Sequence, residues 1–246
     1  MSVVAIIPAR YDSVRFPGKV LVRATGKYLI QHTFEQVSLS ATLDEVLVAT
    51  DDQRVKEAVE SFGGRAEMTS KTHPSGTDRI AEVAKKLDAE IIVNVQGDEP
   101  EIKASSLDAL VSALRQDREA SLSTIAARFE HRGDVLDPNR VKVVLDRYHR
   151  GIYFSRLPIP FGRDLPDNLT EPERYFRHLG VYAYRRDFLV QFAGWDPTPL
   201  EQLEKLEQLR ALEHGHKIAV ALVEYHGIGI DTPSDYEEFV RRQRAG

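Results

Sequence analysis

Three cations crowd the stretch Pro8-Ala9-Arg10-Tyr11-Asp12-Ser13-Val14-Arg15-Phe16-Pro17-Gly18-Lys19, and Pro17-Gly18 supplies a turn that can wrap it back on itself. Arg10, Arg15 and Lys19 converging on one point would suit a polyphosphate, whose charge is offset by charge-assisted hydrogen bonds from guanidinium and ammonium groups. A solvated basic loop accounts for the same residues equally well. The stretch is not a Walker A loop, because no G-x-x-x-x-G-K-[ST] occurs, and it lacks the G-x-G-x-x-G dinucleotide fingerprint. Further on, Val95-Gln96-Gly97-Asp98-Glu99-Pro100 ends an apolar run with a glycine and then an acid. A carboxylate at a strand tip beside a phosphate loop is a natural Mg2+ ligand, since Mg2+ takes one or two carboxylates together with phosphate oxygens. An aspartate that merely caps the turn is the other reading. Asp231, in Gly229-Ile230-Asp231-Thr232, is by itself most simply a polar neighbour of the N-cap Thr232. Paired with Asp98, it would put two carboxylates on one cation.

Three weaker signals complete the set. Ser75-Gly76-Thr77 leads into a helix and exposes backbone N–H groups to a base or a phosphate, or simply starts a capped helix. His178 and Tyr182, four residues apart in a strand, share a face, where a lone histidine is more often a satisfied structural residue than a ligand. Glu204, Glu207 and Gln208 on a leucine-rich helix read as solvated polar residues.

The elements that must position these residues follow from periodicity. Val3–Ile7, Glu45–Ala49 and Ile91–Val95 are aliphatic runs with no helical spacing, as expected of strands buried on both faces of a parallel sheet. Between and after them, Val55/Ala58/Val59/Phe62, Ile80/Val83/Ala84/Leu87 and Leu107/Leu110/Val111/Leu114 form helical stripes. Asp51–Asp52, Thr77–Asp78 and Ser105–Ser106 are the expected N-caps. Alternating β and α implies right-handed crossovers and an open, doubly wound, mostly parallel α/β sheet, with ligands at the carboxyl ends of the strands. The rhythm breaks after about residue 120. A hairpin is expected over 141–154, then a long loop with Pro158, Pro160, Pro166 and Pro172, of a length usually functional or at an interface. Strands at Leu179–Tyr184 and Lys217–Val223 follow. Thr198-Pro199-Leu200-Glu201 opens a helix expected to run to about His214, and Thr232-Pro233 opens the last one. The expected organisation is one α/β domain over 1–246 with an inserted β-rich arm over 125–185.

Composition narrows the classes. With 246 residues, 42% apolar and 29% charged, the chain is long enough for a substantial core. Its net charge of −5 argues against coating nucleic acid or an anionic membrane. There is no cysteine, which excludes disulfides, thiolate nucleophiles and Cys-bound metal centres. The aliphatic runs fall far short of the ~20 residues that span a bilayer, and no basic segment precedes Val3–Ile7 as in a signal peptide. A soluble, cytoplasmic protein is expected.

Together the stretches resemble one family, the 3-deoxy-manno-octulosonate (Kdo) cytidylyltransferases. The likeness lies in PAR-Y-x-S-x-R-x-PGK at Pro8–Lys19, SGTDR at Ser75–Arg79, NVQGDEP at Asn94–Pro100, RHLGVYAYR at Arg177–Arg185, LEQLR at Leu206–Arg210 and GIDTP at Gly229–Pro233. VKVVLD at Val141–Asp146 and YFSR at Tyr153–Arg156 belong to it, and the order and spacing hold end to end. The resemblance implies a sheet of nucleotide-diphospho-sugar transferase type and transfer of CMP from CTP to Kdo, for lipopolysaccharide assembly. Arg10 and Lys19 would hold the triphosphate with Arg15 close by, and Ala9, Ser75, Gly76 and Arg79 would seat the cytidine beside Gly97. Asp98 and Asp231 would bind Mg2+, the implied cofactor. Gln96, His178, Tyr182, Glu207 and Gln208 would line the sugar site, and Arg156 would approach the sugar carboxylate. The arm would take part in a homodimer. Phe16, where leucine is commoner, and Asp12 beside the phosphate loop depart from the pattern without removing a matching residue. Two rivals stand beside this reading. One is the same transfer to an amino-substituted Kdo or another acidic sugar; the other is a silent nucleotide-binding module, which the presence of Lys19, Asp98 and Asp231 disfavours.

Overall fold

Seven consecutive residues, Val3–Ala9, are buried along their whole length in the computed structural model and form β1, the strand covered on both faces that the apolar run demands. The structure describes residues 2–13, 15–163 and 171–245. Pro166 and the centre of the expected 157–174 loop lie outside the described residues. By packing, the chain divides into two compact units, Met1–Asp108 with Arg185–Ala193 and Tyr225–Gly246, and Ala109–Tyr184 with Gly194–Glu224. No helix among the described residues is long and apolar enough to cross a membrane.

In the first unit β1 pairs in parallel with β2 (Glu45–Thr50) on one side and β4 (Ile91–Asn94) on the other. Beyond β2 lies the short β3 (Arg65–Met68), also parallel. The register sets Ala9 against Thr50 and Ile6 against Asn94, so the carboxyl ends of these strands open together. The helices α1 (Leu29–Ser38), α2 (Gln53–Ser61) and α3 (Gly76–Ala84) connect them as crossovers. α4 (Ala104–Gln116) follows and contains the unit boundary. The Asp52 carboxylate caps α2 as expected, accepting from Arg54 N. For α3 the cap is Ser75 rather than Thr77–Asp78, and α4 begins ahead of Ser105–Ser106.

The second unit is built on β5 (Ala120–Arg128), which pairs antiparallel with β8 (Phe176–Arg185) and parallel with β9 (Lys217–Leu222). The expected hairpin is present as β6 (Lys142–Leu145) and β7 (Gly151–Ser155). The stretch 125–185, expected as an inserted arm, falls largely in this unit, which starts at Ala109 and also takes in Gly194–Glu224, because β5 has both β8 and β9 as ladder partners. Between β5 and β6 lies the short α5 (Arg132–Leu136), and after β8 comes α6 (Arg186–Phe192), in the first unit. Together the nine described strands form a mixed, mostly parallel α/β arrangement.

The single helix expected from Thr198 to His214 is two, α7 (Pro199–Glu204) and α8 (Gln208–Glu213). Lys205 breaks it with a left-handed backbone at φ 55°. The cause is a competitor for the helix's own groups. Arg156 Nε donates to Glu204 O at 2.6 Å and Nη2 to Lys205 O at 3.3 Å, while the Glu204 carboxylate accepts from Ser155 Oγ and Arg156 N. The last helix, α9 (Pro233–Ala245), starts where its Pro signal sets it.

Lys142 is wholly buried in β6, its ammonium donating to Asp137 O at 2.8 Å and Arg156 O at 2.7 Å. Burial pulls it below the usual lysine value. Lys142→Ala would strand both carbonyls and is expected to lower unfolding free energy by about 2–4 kcal/mol, as measured by urea denaturation.

Candidate active site

Lys19 is the centre of the first unit's site. Its Nζ lies 2.5 Å from Asp98 Oδ2, 2.9 Å from Ile230 O and 3.5 Å from Asp231 Oδ1, with only 12% of the side chain exposed. Arg15 Nη2 approaches the same Asp231 Oδ1 at 2.8 Å. Two carboxylates far apart in sequence therefore meet on one ammonium.

Local structure explains how each arrives there. Asp98 follows β4 and Gly97, whose carbonyl accepts from the buried Thr33 Oγ1 of α1 at 3.0 Å. A side chain at Gly97 would sit 3.2 Å from Pro8 O and 3.1 Å from Ile30, so glycine lets the strand tip lie against β1. The cationic loop closes where Gly18 N donates to Tyr11 O at 2.9 Å, with Gly18 at φ 69°, a conformation that suits glycine. Asp231 is delivered by the chain entering α9. Ile230 is buried with Leu29, Tyr236, Phe239 and Val240, and Phe16 packs on the same cluster. One apolar nucleus thus anchors both the loop bearing Arg15 and the segment bearing Asp231.

Beside this cluster lies a cavity of about 280 Å³ lined by Pro8, Arg10, Asp12, Ser13, Lys19, Val20, Gly76, Gln96, Gly97 and Asp98. Arg10, Lys19, Gly76, Gln96, Gly97 and Asp98 thus lie around one cavity; Asp12 and Ser13 are linings that the sequence did not single out as contacts. Gln96 was expected on the sugar side and here lines the cavity with the phosphate-loop residues. Arg10 Nη2 also reaches His73 O at 3.4 Å. Ala9 is buried in β1, and the Ser75 hydroxyl is engaged in capping α3 through Asp78 N at 3.2 Å.

Arg79, expected to seat the cytidine, is placed in the interior. It is fully buried, with Nη2 2.7 Å from Asp51 Oδ2 and Nη1 2.5 Å from Thr69 Oγ1, and its buried Nε has no hydrogen-bond partner. The enclosed guanidinium ties the chain beyond β2 to the chain beyond β3. Its sequence position in SGTDR carried no sign of this.

In the second unit His178 and Tyr182 stand together, ring centroids 5.5 Å apart, with Phe154 edge-on to His178 at 4.9 Å. The β5–β8 register shifts beside them, and Thr124 meets the displaced backbone, 3.1 Å from Leu179 O and 2.8 Å from Val181 O. A hydroxyl has one proton, so if Thr124 spends it on a carbonyl, its oxygen accepts from His178 Nε2 at 2.9 Å. Burial, with Arg177 adding to it, depresses His178 to about 3, so it is neutral at ordinary pH. Burial raises the Tyr182 hydroxyl, and the charge of Glu207 raises it further. Glu207 lies 3.6 Å from Arg210, which Glu201 also holds. Gln208 is buried and its Nε2 has no partner, unlike the solvated residue expected from the helix pattern. Arg156, expected to approach the sugar carboxylate, stands among backbone carbonyls. Its guanidinium donates to Glu204 O, Lys205 O and, at 3.0 Å, Pro138 O, which makes it a staple of backbone carbonyls.

Comparison with known proteins gives the family. A family model described as cytidylyltransferase matches residues 4–218. A 3-deoxy-manno-octulosonate cytidylyltransferase from Geobacter metallireducens is 50% identical, with 98% of each chain covered. Its counterpart from Geotalea uraniireducens is 49% identical over 98% of this chain and 99% of that one. The chain belongs to the 3-deoxy-manno-octulosonate cytidylyltransferase family. Among solved structures, a CMP:2-keto-3-deoxy-manno-octonic acid synthetase complexed with CTP is similar at 40% identity and TM-score 0.93, covering 100% of this chain and 99% of that one. A 4-diphosphocytidyl-2C-methyl-D-erythritol synthase from Anaerococcus prevotii, at 16% identity and TM-score 0.64, shares the fold alone.

Asp51 is the counter-ion of a fully buried guanidinium, so removing it should cost far more than removing a surface partner. Asp51→Ala is expected to destabilise the protein by about 3–5 kcal/mol, read as a fall in the urea midpoint at constant slope.

Proposed function

We propose that the protein transfers CMP from CTP to the anomeric hydroxyl of Kdo, giving CMP-Kdo and pyrophosphate for lipopolysaccharide biosynthesis. The observation that carries this reading is the convergence of Arg15, Lys19, Asp98 and Asp231 beside the cavity lined by Arg10 and Gly76. Attack of a hydroxyl on the α-phosphorus calls for in-line alignment and for neutralised phosphate charge more than for a protein nucleophile. Arg10 and Lys19 supply fixed positive charge for the triphosphate, with Arg15 adjacent, and Gly76 brings the start of α3 close without a side chain. His178, Tyr182, Glu207 and Gln208 form the acceptor-sugar site. In support of that assignment, the unpartnered buried Gln208 Nε2 is a donor in want of an acceptor, such as a sugar hydroxyl.

The donor set at Asp98 and Asp231 also fits a Mg2+ requirement. Two carboxylate oxygens are what this hard cation takes when phosphates supply further ligands, and they already converge on a positive charge, the Lys19 ammonium. When bound, the metal would polarise the phosphoryl group and acidify the attacking hydroxyl. The chain's own part is to keep both carboxylates close together and within reach of Lys19. The protein is read as cytoplasmic, with no nucleic-acid or membrane partner.

A homodimer completes the proposal. Leu136, Tyr148, Ile152, Leu157, Phe161 and Leu203 are large apolar side chains left exposed, all in the second unit. Such exposure in an otherwise charged surface suits a second copy.

Pyrophosphate release should be fastest with CTP among the four nucleoside triphosphates, and with Kdo over its amino analogue or sialic acid. A preference for another acceptor would replace Kdo with that sugar. Asp98→Asn and Asp231→Asn should each slow the reaction by at least ~10²-fold, and a wild-type rate in either would remove the metal assignment. Light scattering should give about twice the 27.8 kDa chain mass, and Leu157→Glu with Leu203→Glu should return it to one chain mass.

A further inference from the structure

We infer that Glu99 and Glu101 are positioning residues that hold the segment 225–231 so that Asp231 meets Asp98. This rests on the reading of Asp98 and Asp231 proposed above. The segment contains neither helix nor strand, so no ladder or helical hydrogen bonds fix it. Beside Lys19 on Ile230 O, Asp235 on Asp231 N and the apolar cluster around Ile230, its fixed points come from Asp98 and the residues next to it. Ile230 N donates to Asp98 O at 2.9 Å. Tyr225 OH donates to Glu99 Oε2 at 2.6 Å, and Ile228 N donates to Glu101 Oε2 at 3.1 Å. From α9, Arg242 Nη1 reaches both Glu101 Oε2 and His226 O at 3.2 Å, closing the clamp from the other side.

Close packing backs the hydrogen bonds. A side chain at Gly229 would meet Glu99 Oε1 at 3.0 Å, and one at Gly227 would meet the Tyr225 ring at 2.9 Å and Glu101 Cβ at 3.1 Å. The two glycines leave room for the acids to lie against the backbone. The strand tip therefore carries one carboxylate for the site and two more that grip the segment bearing the other. Glu99 and Glu101 act through the placement of Asp231, as outer residues orient ligands in metal sites, where their loss typically costs 10–100-fold.

The test combines pyrophosphate-release kinetics with Mn2+ binding to the CTP-loaded protein, followed by electron paramagnetic resonance. Glu99→Ala and Glu101→Ala are each expected to lower kcat and weaken Mn2+ binding about tenfold, with KM for CTP moved by less than about threefold. Tyr225→Phe, which removes one hydroxyl and leaves the ring, should shift both readouts in the same direction. Glu99→Gln, which still offers that hydroxyl an oxygen, should recover most of what Glu99→Ala loses. In an Asp231→Asn background, Glu99→Ala should add less than about twofold, because both act through one group. Full additivity in that double variant, or a loss confined to KM, overturns the positioning role. Impairment in Asp231→Asn without any in Glu99→Ala, Glu101→Ala or Tyr225→Phe also overturns it while leaving the role of Asp231 intact. Unimpaired Asp231→Asn overturns both.

Discussion

The first unit's site depends on one ammonium group. Carboxylates brought within a few ångströms repel, by about 4 kcal/mol for unit charges 4 Å apart at an effective dielectric of 20. Lys19 contacts Asp98 and Asp231 at once and takes Ile230 O as a third acceptor, so it offsets that repulsion and fixes the backbone ahead of Asp231. Because Lys19 is largely shielded from solvent, salt screens this interaction less than it would on the surface. Much of what surrounds it serves the arrangement. Gly18 lets the loop turn back just ahead of Lys19, Thr33 and Gly97 set the strand tip, and the apolar cluster on α9 holds Ile230 and Phe16.

The second unit reaches rigidity by another route. Lys142 and Arg156 spend their donors on backbone carbonyls, and Thr124 links the irregular pairing of β5 and β8 to His178. Polar groups in such places are costly when unpaired and rigidifying when satisfied. The β5–β8 bulge and the broken α7–α8 helix are two irregularities of this unit, and both lie at residues with proposed sugar contacts. Regular ladders and helices leave little freedom to aim a side chain; a bulge or a break does.

The strands β1, β2 and β4 were legible because a strand buried on both faces writes an unbroken aliphatic run. β3, four residues with Arg65 and Glu67 among them, carries no such run. β5 alternates small residues too weakly to separate from a helix. The cationic loop and the two aspartates were legible as residue types, since charge and turn chemistry are local. Their convergence was not, because it is made by the cluster that joins Leu29, Ile230 and Phe239 across the chain. Two arginines share one property. Arg79 and Arg156 have the right charge for a ligand, but sequence does not show which acceptors of the same chain lie within reach.

Those two arginines also show why a cationic motif and a cationic site are different things. A guanidinium has five N–H donors and no neutral state at ordinary pH, so once its backbone or carboxylate partners lie close it gains little by turning to a ligand. Arg79 has one carboxylate and one hydroxyl, and Arg156 three carbonyls; both are committed to structure. Lys19 is committed as well, yet its partners are the very carboxylates proposed to bind a metal, and an arriving phosphate competes for the same ammonium. An ammonium is a compact point charge with rotatable donors, able to exchange one acceptor for another with a small movement. The forks of Arg79 and Arg156 hold chain to chain, and the Lys19 ammonium holds the two carboxylates of the proposed site.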